Sequence, residues 1–260
     1  MNDLFGITVV QFETWLLVFI RVSTMLQIFP IFSSPQVPIL LRLGFGMVLS
    51  FVLMHVVPML PGTLNVYELL LSVVSQVALG AIVGFVAQLV FSGIQFAGEL
   101  LDLQIGFAIA NVINPQTQQS ITIVGEFMLA IATLVFLGTD SHFFFIQGIA
   151  GSFNLVPLPY ISLDPSVGGN VVLFFTESFL IVFKIAAPIA VALMITNIGL
   201  AFMAKVAPQM NVFVVGLPIQ VGIGLIMLAV SIPLVGTVGP ELFQAISTQM
   251  DTVMRGLRAQ

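Results

Sequence analysis

The sequence predicts an all-α membrane protein of about six long, partly kinked hydrophobic helices arranged as hairpins. Only six basic and eleven acidic residues occur among its 260 residues, and the mean hydropathy is +1.18. Uncharged stretches long enough to cross a hydrocarbon core, about 20 helical residues, recur along the chain. Charged residues make up 7% of the chain, against about 25% in soluble domains. Residues 1–260 are therefore expected to form one integral membrane subunit in contact with lipid.

Six apolar segments supply the long helices. In chain order they are residues 12–32, 37–57, 68–98, 121–138, 171–206 and 212–235. The third and fifth are longer than one bilayer crossing, which predicts tilt, a kink or extension beyond the lipid. Pro188 lacks a backbone N–H donor and is expected to kink the fifth helix.

Two further helices complete the predicted fold. A short interfacial helix is expected at residues 142–153, capped by Thr139, Asp140 or Ser141. After Pro240, apolar residues recur at helical spacing opposite polar ones, which predicts a C-terminal amphipathic helix. The apolar positions are Leu242, Phe243, Ile246, Met250, Val253, Met254 and Leu257.

Several charged and small residues lie in or beside the apolar segments. A charge in lipid costs several kcal/mol, so it should face protein or water and find a partner. Ion pairs between helices or subunits and a role in conduction or coupling both remain open. The charged candidates are Arg21, Arg42, Glu99, Asp102, Glu126, Lys184 and Lys205. Gly80 and Gly84 form a GxxxG pattern, which favours close helix packing in membranes.

One uncharged interval does not have the composition of a membrane helix. Residues 106–120 read GFAIANVINPQTQQS, with amide side chains and a proline among apolar residues. Irregular backbone at membrane depth is tolerated only where it is buried in protein or lines a water-filled cavity. The segment is therefore either an external loop or a re-entrant constriction.

Several classes of function are not expected. The chain has no cysteine, and its net charge of −5 is too dispersed to indicate nucleic-acid binding. Asp140, Ser141 and His142 are consecutive, so they cannot converge as a hydrolase triad. A phosphate-binding GxxxxGK loop is absent from the sequence. We therefore expect no enzymatic activity, metal or cofactor.

Four motifs follow one another along the chain: residues 21–42 (RVSTMLQIFPIFSSPQVPILLR), 96–115 (FAGELLDLQIGFAIANVINP), 138–146 (GTDSHFFFI) and 207–224 (APQMNVFVVGLPIQVGIG). In sequence and in order they resemble the FliR family of the flagellar export gate and its counterparts in virulence type III secretion. Asn114 stands before Pro115 where many members have Asp, so a charge-dependent role is not expected at that position.

The resemblance implies a non-enzymatic subunit of the flagellar type III export gate in the bacterial inner membrane, at the basal body. It implies assembly with FliP-like and FliQ-like subunits, contact with FlhB-like and FlhA-like proteins, and passage of unfolded flagellar proteins. Part of the complex is expected above the membrane plane. Residues 1–165 are similar to FliP, and residues 166–260 to a FliQ helical hairpin.

The family's plug loop, which closes the pore, corresponds to residues 106–119. The resemblance thus favours the re-entrant constriction, with Gly106 as a hinge and Phe107 as an apolar stopper. The implied plug residues are Gln104, Gly106, Phe107, Ile109, Asn111, Val112, Ile113, Asn114 and Pro115. The alternative is a secondary transporter or channel subunit. A transporter predicts matched interruptions in two repeated halves, and residues 106–120 have no counterpart in the second half.

Overall fold

The regular structure of the chain is helical, which confirms the predicted all-α fold. A computed structural model describes residues 8–107, 122–159 and 166–257, and these contain eight helices. In chain order they are α1 (Val9–Ile28), α2 (Pro30–Ser33), α3 (Ile39–Leu53), α4 (Val66–Ile105), α5 (Ile123–Gly138), α6 (Ser141–Leu155), α7 (Ser166–Val206) and α8 (Val212–Arg255).

Four of the described helices are long and apolar enough to cross a membrane, namely α1, α4, α7 and α8. The pair α5 and α6, bent at the break between them, adds a fifth crossing if the two are counted as one span. The second predicted segment is shorter than expected. Its helix, α3, has 15 residues and a length of about 22 Å, less than the roughly 30 Å of a hydrocarbon core.

The C-terminal amphipathic segment is part of α8 and not a separate helix. Helix α8 continues through Pro218, Pro233 and Pro240 to Arg255. Proline is tolerated inside membrane helices where neighbouring groups satisfy the freed carbonyls. The predicted apolar face is present, since the side chains of Leu242 and Met250 are 1% and 0% exposed.

The chain forms two compact units. Unit 1 comprises residues 1–90, 140–176 and 243–260, and unit 2 comprises residues 91–139 and 177–242. In unit 1, α1 lies in the core, with Leu17, Val18 and Val22 fully buried. The division at residue 165 into FliP-like and FliQ-like parts stays a prediction.

Helix α4 contacts α1 closely in unit 1 through the predicted small residues. A Cβ atom added at Gly80 would lie 2.8 Å from the carbonyl oxygen of Arg21. One added at Gly84 would lie 3.1 Å from the carbonyl oxygen of Met25. The neighbouring atoms belong to the backbone and cannot swing aside, so this packing needs glycine.

The second half of α4 makes a similar approach to α5 in unit 2. A Cβ added at Gly98 would lie 2.5 Å from the Cα of Gly125. Five residues earlier, a Cβ at Gly93 would meet the Cγ2 of Val182 at 3.5 Å, an ordinary contact distance. Two glycines of the same helix thus have very different tolerance for an added methyl group.

We expect Gly98→Ala to destabilise the protein by about 1–3 kcal/mol, as in other overpacked sites. Gly93→Ala, the matched control, should be neutral or slightly stabilising because alanine favours the helix. The midpoint of thermal aggregation in detergent, followed by size-exclusion chromatography, measures both. Equal midpoints for the two variants would show that α4 and α5 are not in backbone contact.

Candidate functional site

Asp102 joins the end of α4 to the start of α5. Its carboxylate accepts hydrogen bonds from the backbone N–H groups of Val124, at 3.0 and 3.1 Å, and Gly125, at 3.3 Å. Free N–H groups at a helix N-terminus carry partial positive charge, so an acidic acceptor is favourable there. Asp102 is only 4% exposed, and these bonds satisfy a buried carboxylate without a cation.

The backbone of Asp102 also terminates α4. Its carbonyl oxygen accepts from the N–H groups of Gly106 and Phe107, both at 3.1 Å. Gly106 has a φ of 94°, a left-handed conformation that L side chains rarely adopt and that commonly ends helices. One residue therefore fixes both the departure of the chain at Gly106 and its return at Val124.

We call Asp102, with its bonds to the backbone at the end of α4 and at the start of α5, the Asp102 anchor. Two cavities lie beside it in unit 2. The larger has a volume of about 590 Å³ and is lined by Gln104 and Gly106 together with residues of α7 and α8. The amides of Asn197 and Gln220, which are hydrogen-bonded to each other, also line it. The smaller, about 260 Å³, is bounded by Phe107 and apolar residues that include Ile123 and Phe127. The anchor thus lies next to one cavity with amide groups and one that is apolar.

The remaining predicted plug positions lie outside the described residues. These are Ile109, Asn111, Val112, Ile113, Asn114 and Pro115. Of the predicted plug, the structure describes Gln104, Gly106 and Phe107. It places Gly106 at the helix end, where its φ suits the predicted hinge.

Arg21 is the most deeply buried charge in unit 1, with 0% exposure. Its Nε donates to the side-chain oxygen of Gln76 at 2.7 Å. One terminal nitrogen donates to the carbonyl of Ser152 at 3.0 Å, and the other to the carbonyl of Val156 at 3.0 Å. Its guanidinium carbon also lies 4.2 Å from the ring centroid of Phe153. A fully buried cation is thus bound by acceptors on α4 and α6.

The acceptors of Arg21 are neutral, which differs from the ion pair expected as one alternative. Ser152 and Val156 lie at the C-terminal end of α6, where carbonyls carry partial negative charge. The carbonyl of Ser152 also accepts from the N–H of Val156 at 2.9 Å. Gln76 in turn donates to the carbonyl of Pro159 at 2.7 Å. The guanidinium fork provides several donors in one plane, so it can satisfy several carbonyls at once.

Arg42 has a similar environment but is less buried. It donates to the carbonyl of Ser34 at 2.6 Å and to that of Val37 at 3.1 and 2.8 Å. These carbonyls belong to the turn that precedes α3. Arg42 therefore stabilises a local turn.

Three of the other predicted charges are exposed on this chain. Glu126, Lys184 and Lys205 lie on solvent- or lipid-accessible faces of apolar helices, and Glu99 is half-buried. In the part of the chain that the structure describes, they have no ion-pair partner. A role of Glu126, Lys184 and Lys205 in helix packing or in buried ion pairs between helices or subunits therefore stays a prediction.

Sequence reasoning missed the amides that complete these sites. Gln76 orients Arg21, and Asn197 and Gln220 pair beside Gln104. The detectable signal was a lone amide in an apolar helix, since a polar group in a membrane segment needs a partner. The side-chain capping expected at residues 139–141 is not observed for Asp140, which occupies the N-cap of α6 without a side-chain hydrogen bond.

The family model described as bacterial export proteins, family 1, matches residues 12–246. The chain belongs to this family. It is 33% identical over 241 residues to the flagellar biosynthetic protein FliR of Bacillus subtilis, covering 89% of this chain and 91% of that protein. It is 35% identical over 235 residues to FliR of Aquifex aeolicus, covering 89% and 90%. The Yop proteins translocation protein T of Yersinia pestis is 29% identical over 170 residues, 64% of each chain.

These matches confirm the resemblance to FliR drawn from four motifs. This export protein is a component of a flagellar or type III export apparatus and has apolar helices of membrane-spanning length. Members of the family are structural components of that apparatus. The Asp102 anchor, the neighbouring cavities and the Arg21 site all fall within the matched residues.

We expect Asp102→Ala to lower the stability of the export protein by about 1–2 kcal/mol, because three hydrogen bonds at the start of α5 are lost. Asp102→Asn should cost less, since one oxygen acceptor remains. Thermal aggregation in detergent measures both variants. Asp140→Asn is the matched control, because Asp140 caps α6 without a side-chain bond and should have little effect. An Asp102→Ala protein as stable as Asp140→Asn would contradict a role in anchoring α5.

Substitutions of Arg21 should reduce stability in the order Lys, Leu, Glu, with Glu the most damaging. Lysine retains a charge but not the planar fork, leucine leaves buried acceptors unpaired, and glutamate places an anion against carbonyl oxygens. Loss of one partner from a buried charge site costs about 3–5 kcal/mol. The control is Arg42→Leu, at a site that is only half-buried. This substitution should lower the free energy of unfolding by less than about 1 kcal/mol, because water can replace the lost hydrogen bonds.

The yield of monodisperse protein after detergent extraction measures this series. An Arg21→Glu protein recovered at the level of Arg21→Leu would show that the carbonyl environment of Arg21 does not govern stability.

Proposed function

We propose that this chain is the FliR-type subunit of the flagellar export gate, which forms and plugs the pore together with FliP-like and FliQ-like subunits. The gate lies in the inner membrane at the flagellar basal body, with part of the complex above the membrane plane. It contacts FlhA-like and FlhB-like export proteins and passes unfolded flagellar proteins. Residues 1–165 act as the FliP-like part and residues 166–260 as the FliQ-like hairpin. Membership in the export family supports this proposal over the transporter alternative.

The observation that supports a plug in this segment is that Asp102 binds the backbone at both of its ends. Its carbonyl ends α4 and its carboxylate starts α5, so the intervening segment begins and ends at one fixed place. A plug segment needs fixed ends, because a segment whose ends could move would leave the pore even when no cargo is passing. Phe107 stands at this base beside apolar Ile123 and Phe127, which suits a water-excluding role.

The composition of residues 106–119 suits a pore for unfolded chains. Such a pore must pass every type of side chain yet retain small ions at rest. An apolar constriction blocks ions by excluding water, and it does not bind a passing chain through fixed charges. The segment contains apolar and amide side chains and no charged residue.

Shortening residues 108–117, or replacing Phe107 and Ile109 with glycine, should make the assembled gate leak ions. The apolar contacts that exclude water are lost, whereas Asp102 and the packing helices are unchanged. Assembly and export should be largely retained, because the plug must move aside for cargo in any case. Ion flux in membranes with matched levels of gate complex measures the effect.

The control is the double change Phe107→Leu and Ile109→Leu, which keeps apolar volume and should leave the membrane tight. Equal and low flux from the wild type, the glycine variant and the shortened variant would exclude this segment as the main seal. A leak from the leucine control as large as that of the glycine variant would show that apolar volume does not determine the seal.

A further inference from the structure

The first turn of α5 lies beside two groups able to cap it, and only one of them does so. Thr122 is the N-cap residue of α5, but its side chain makes no hydrogen bond to the start of the helix. A threonine at this position ordinarily accepts from the N–H of the second or third helical residue, here Val124 or Gly125. The carboxylate of Asp102 accepts from both of these N–H groups. The Asp102 anchor therefore occupies the bonds that Thr122 would otherwise make.

The hydroxyl of Thr122 is close to one of these N–H groups. Its Oγ1 lies 3.0 Å from the position that a Cβ atom would take on Gly125. The oxygen is thus beside the residue whose N–H it would bind. Asp102 reaches that same N–H over 3.3 Å, the longest of its three bonds. The bond to Gly125 is therefore the one for which the two groups compete most directly.

Helix α1 shows how a threonine caps a helix in this chain. Thr8 accepts from the N–H of Gln11, the third residue of α1, at 3.3 Å. The φ and ψ of Thr8 are −73° and 153°, whereas those of Thr122 are −98° and 95°. Both conformations are extended, and they differ mainly in ψ, by 58°. A rotation about one backbone bond, within the extended region, thus brings Thr122 to the capping conformation of Thr8.

We propose that Thr122 takes over the cap of α5 when the carboxylate of Asp102 releases it, so that the Asp102 anchor opens without leaving the start of α5 uncapped. The carboxylate is the stronger cap, because it is charged and accepts from two residues at once. The hydroxyl is the weaker, local substitute, and it lowers the free energy that opening requires. The inference rests on the proposed function where it concerns opening, since α5 directly follows the plug segment of the proposed gate.

A double-mutant cycle between Asp102 and Thr122 tests the exchange of caps, with the midpoint of thermal aggregation in detergent as the readout. Thr122→Val keeps the shape of the side chain and removes its oxygen. Alone it should shift the midpoint by less than about 1 °C, because Asp102 caps the helix. In an Asp102→Ala protein the same change should lower the midpoint by a further amount of about 2–4 °C, because the remaining cap is lost.

Two milder variants keep the cycle informative. Thr122→Ser retains the oxygen and should show no additional loss beside Asp102→Ala. Asp102→Asn retains one acceptor, so beside it Thr122→Val should give a smaller loss of the same sign. This second background serves if the Asp102→Ala protein is not recovered in folded form.

Thr133→Val is the matched control in the same helix. The Oγ1 of Thr133 donates to the carbonyl of Leu129 at 2.9 Å, away from the helix start. Its effect should be equal, within about 1 °C, with and without Asp102. Equal effects of Thr122→Val in the two backgrounds would overturn the exchange of caps. So would a loss from Thr122→Val alone as large as that from Asp102→Ala, because the hydroxyl would then already cap the resting protein.

Secretion of flagellar proteins tests whether the exchange is used during export. At matched levels of gate complex, Thr122→Val should lower the secretion rate about three- to tenfold, because the open state loses its cap, whereas Thr133→Val should not. Wild-type secretion by Thr122→Val would overturn the part of the inference that concerns opening. If the proposed function fails, deletion of the chain leaves flagellar secretion unchanged, and the thermal cycle still decides whether Thr122 replaces Asp102.

Discussion

The fold depends on satisfying buried charge with the free ends of helices. An apolar chain offers few counter-ions, but every helix has unpaired N–H groups at its start and unpaired carbonyls at its end. Asp102 lies at the start of α5, and Arg21 lies at the end of α6. The sign of each charge matches the partial charge of the helix end that it contacts. Each charged side chain thereby fixes where a helix begins or ends.

Close backbone packing brings these charges to the helix ends. Gly80 and Gly84 allow α4 to approach α1 next to Arg21, and Gly98 allows α4 to approach α5 next to Asp102. A methyl group at these positions would separate the helices and lengthen the hydrogen bonds at both sites. Small residues and buried charges therefore act together, and a change in one affects the geometry of the other.

The exposed surface of α7 and α8 combines large apolar residues with charges that have no ion-pair partner among the described residues. Helices α7 and α8 expose large apolar residues along much of their length, while Glu177, Lys184 and Lys205 are exposed among them. Apolar surface of this extent marks contact with lipid or with other proteins. A charge is unfavourable against lipid, so part of this surface is expected to contact protein. This agrees with a subunit of a larger membrane apparatus.

The sequence by itself determined the all-α membrane class, since few charges and long apolar stretches permit only helices in lipid. It also determined the FliR family, because the motifs around Arg21, Asp102 and Ala207 are contiguous in sequence. It placed most helices but missed the short length of α3 and the continuation of α8 through Pro240, because hydropathy does not report which backbone groups neighbouring helices satisfy. Only the tertiary structure decided that Arg21 binds the carbonyl end of α6, 131 residues away, and that Asp102 caps α5. Such partners depend on the three-dimensional approach of helices, which local patterns do not encode.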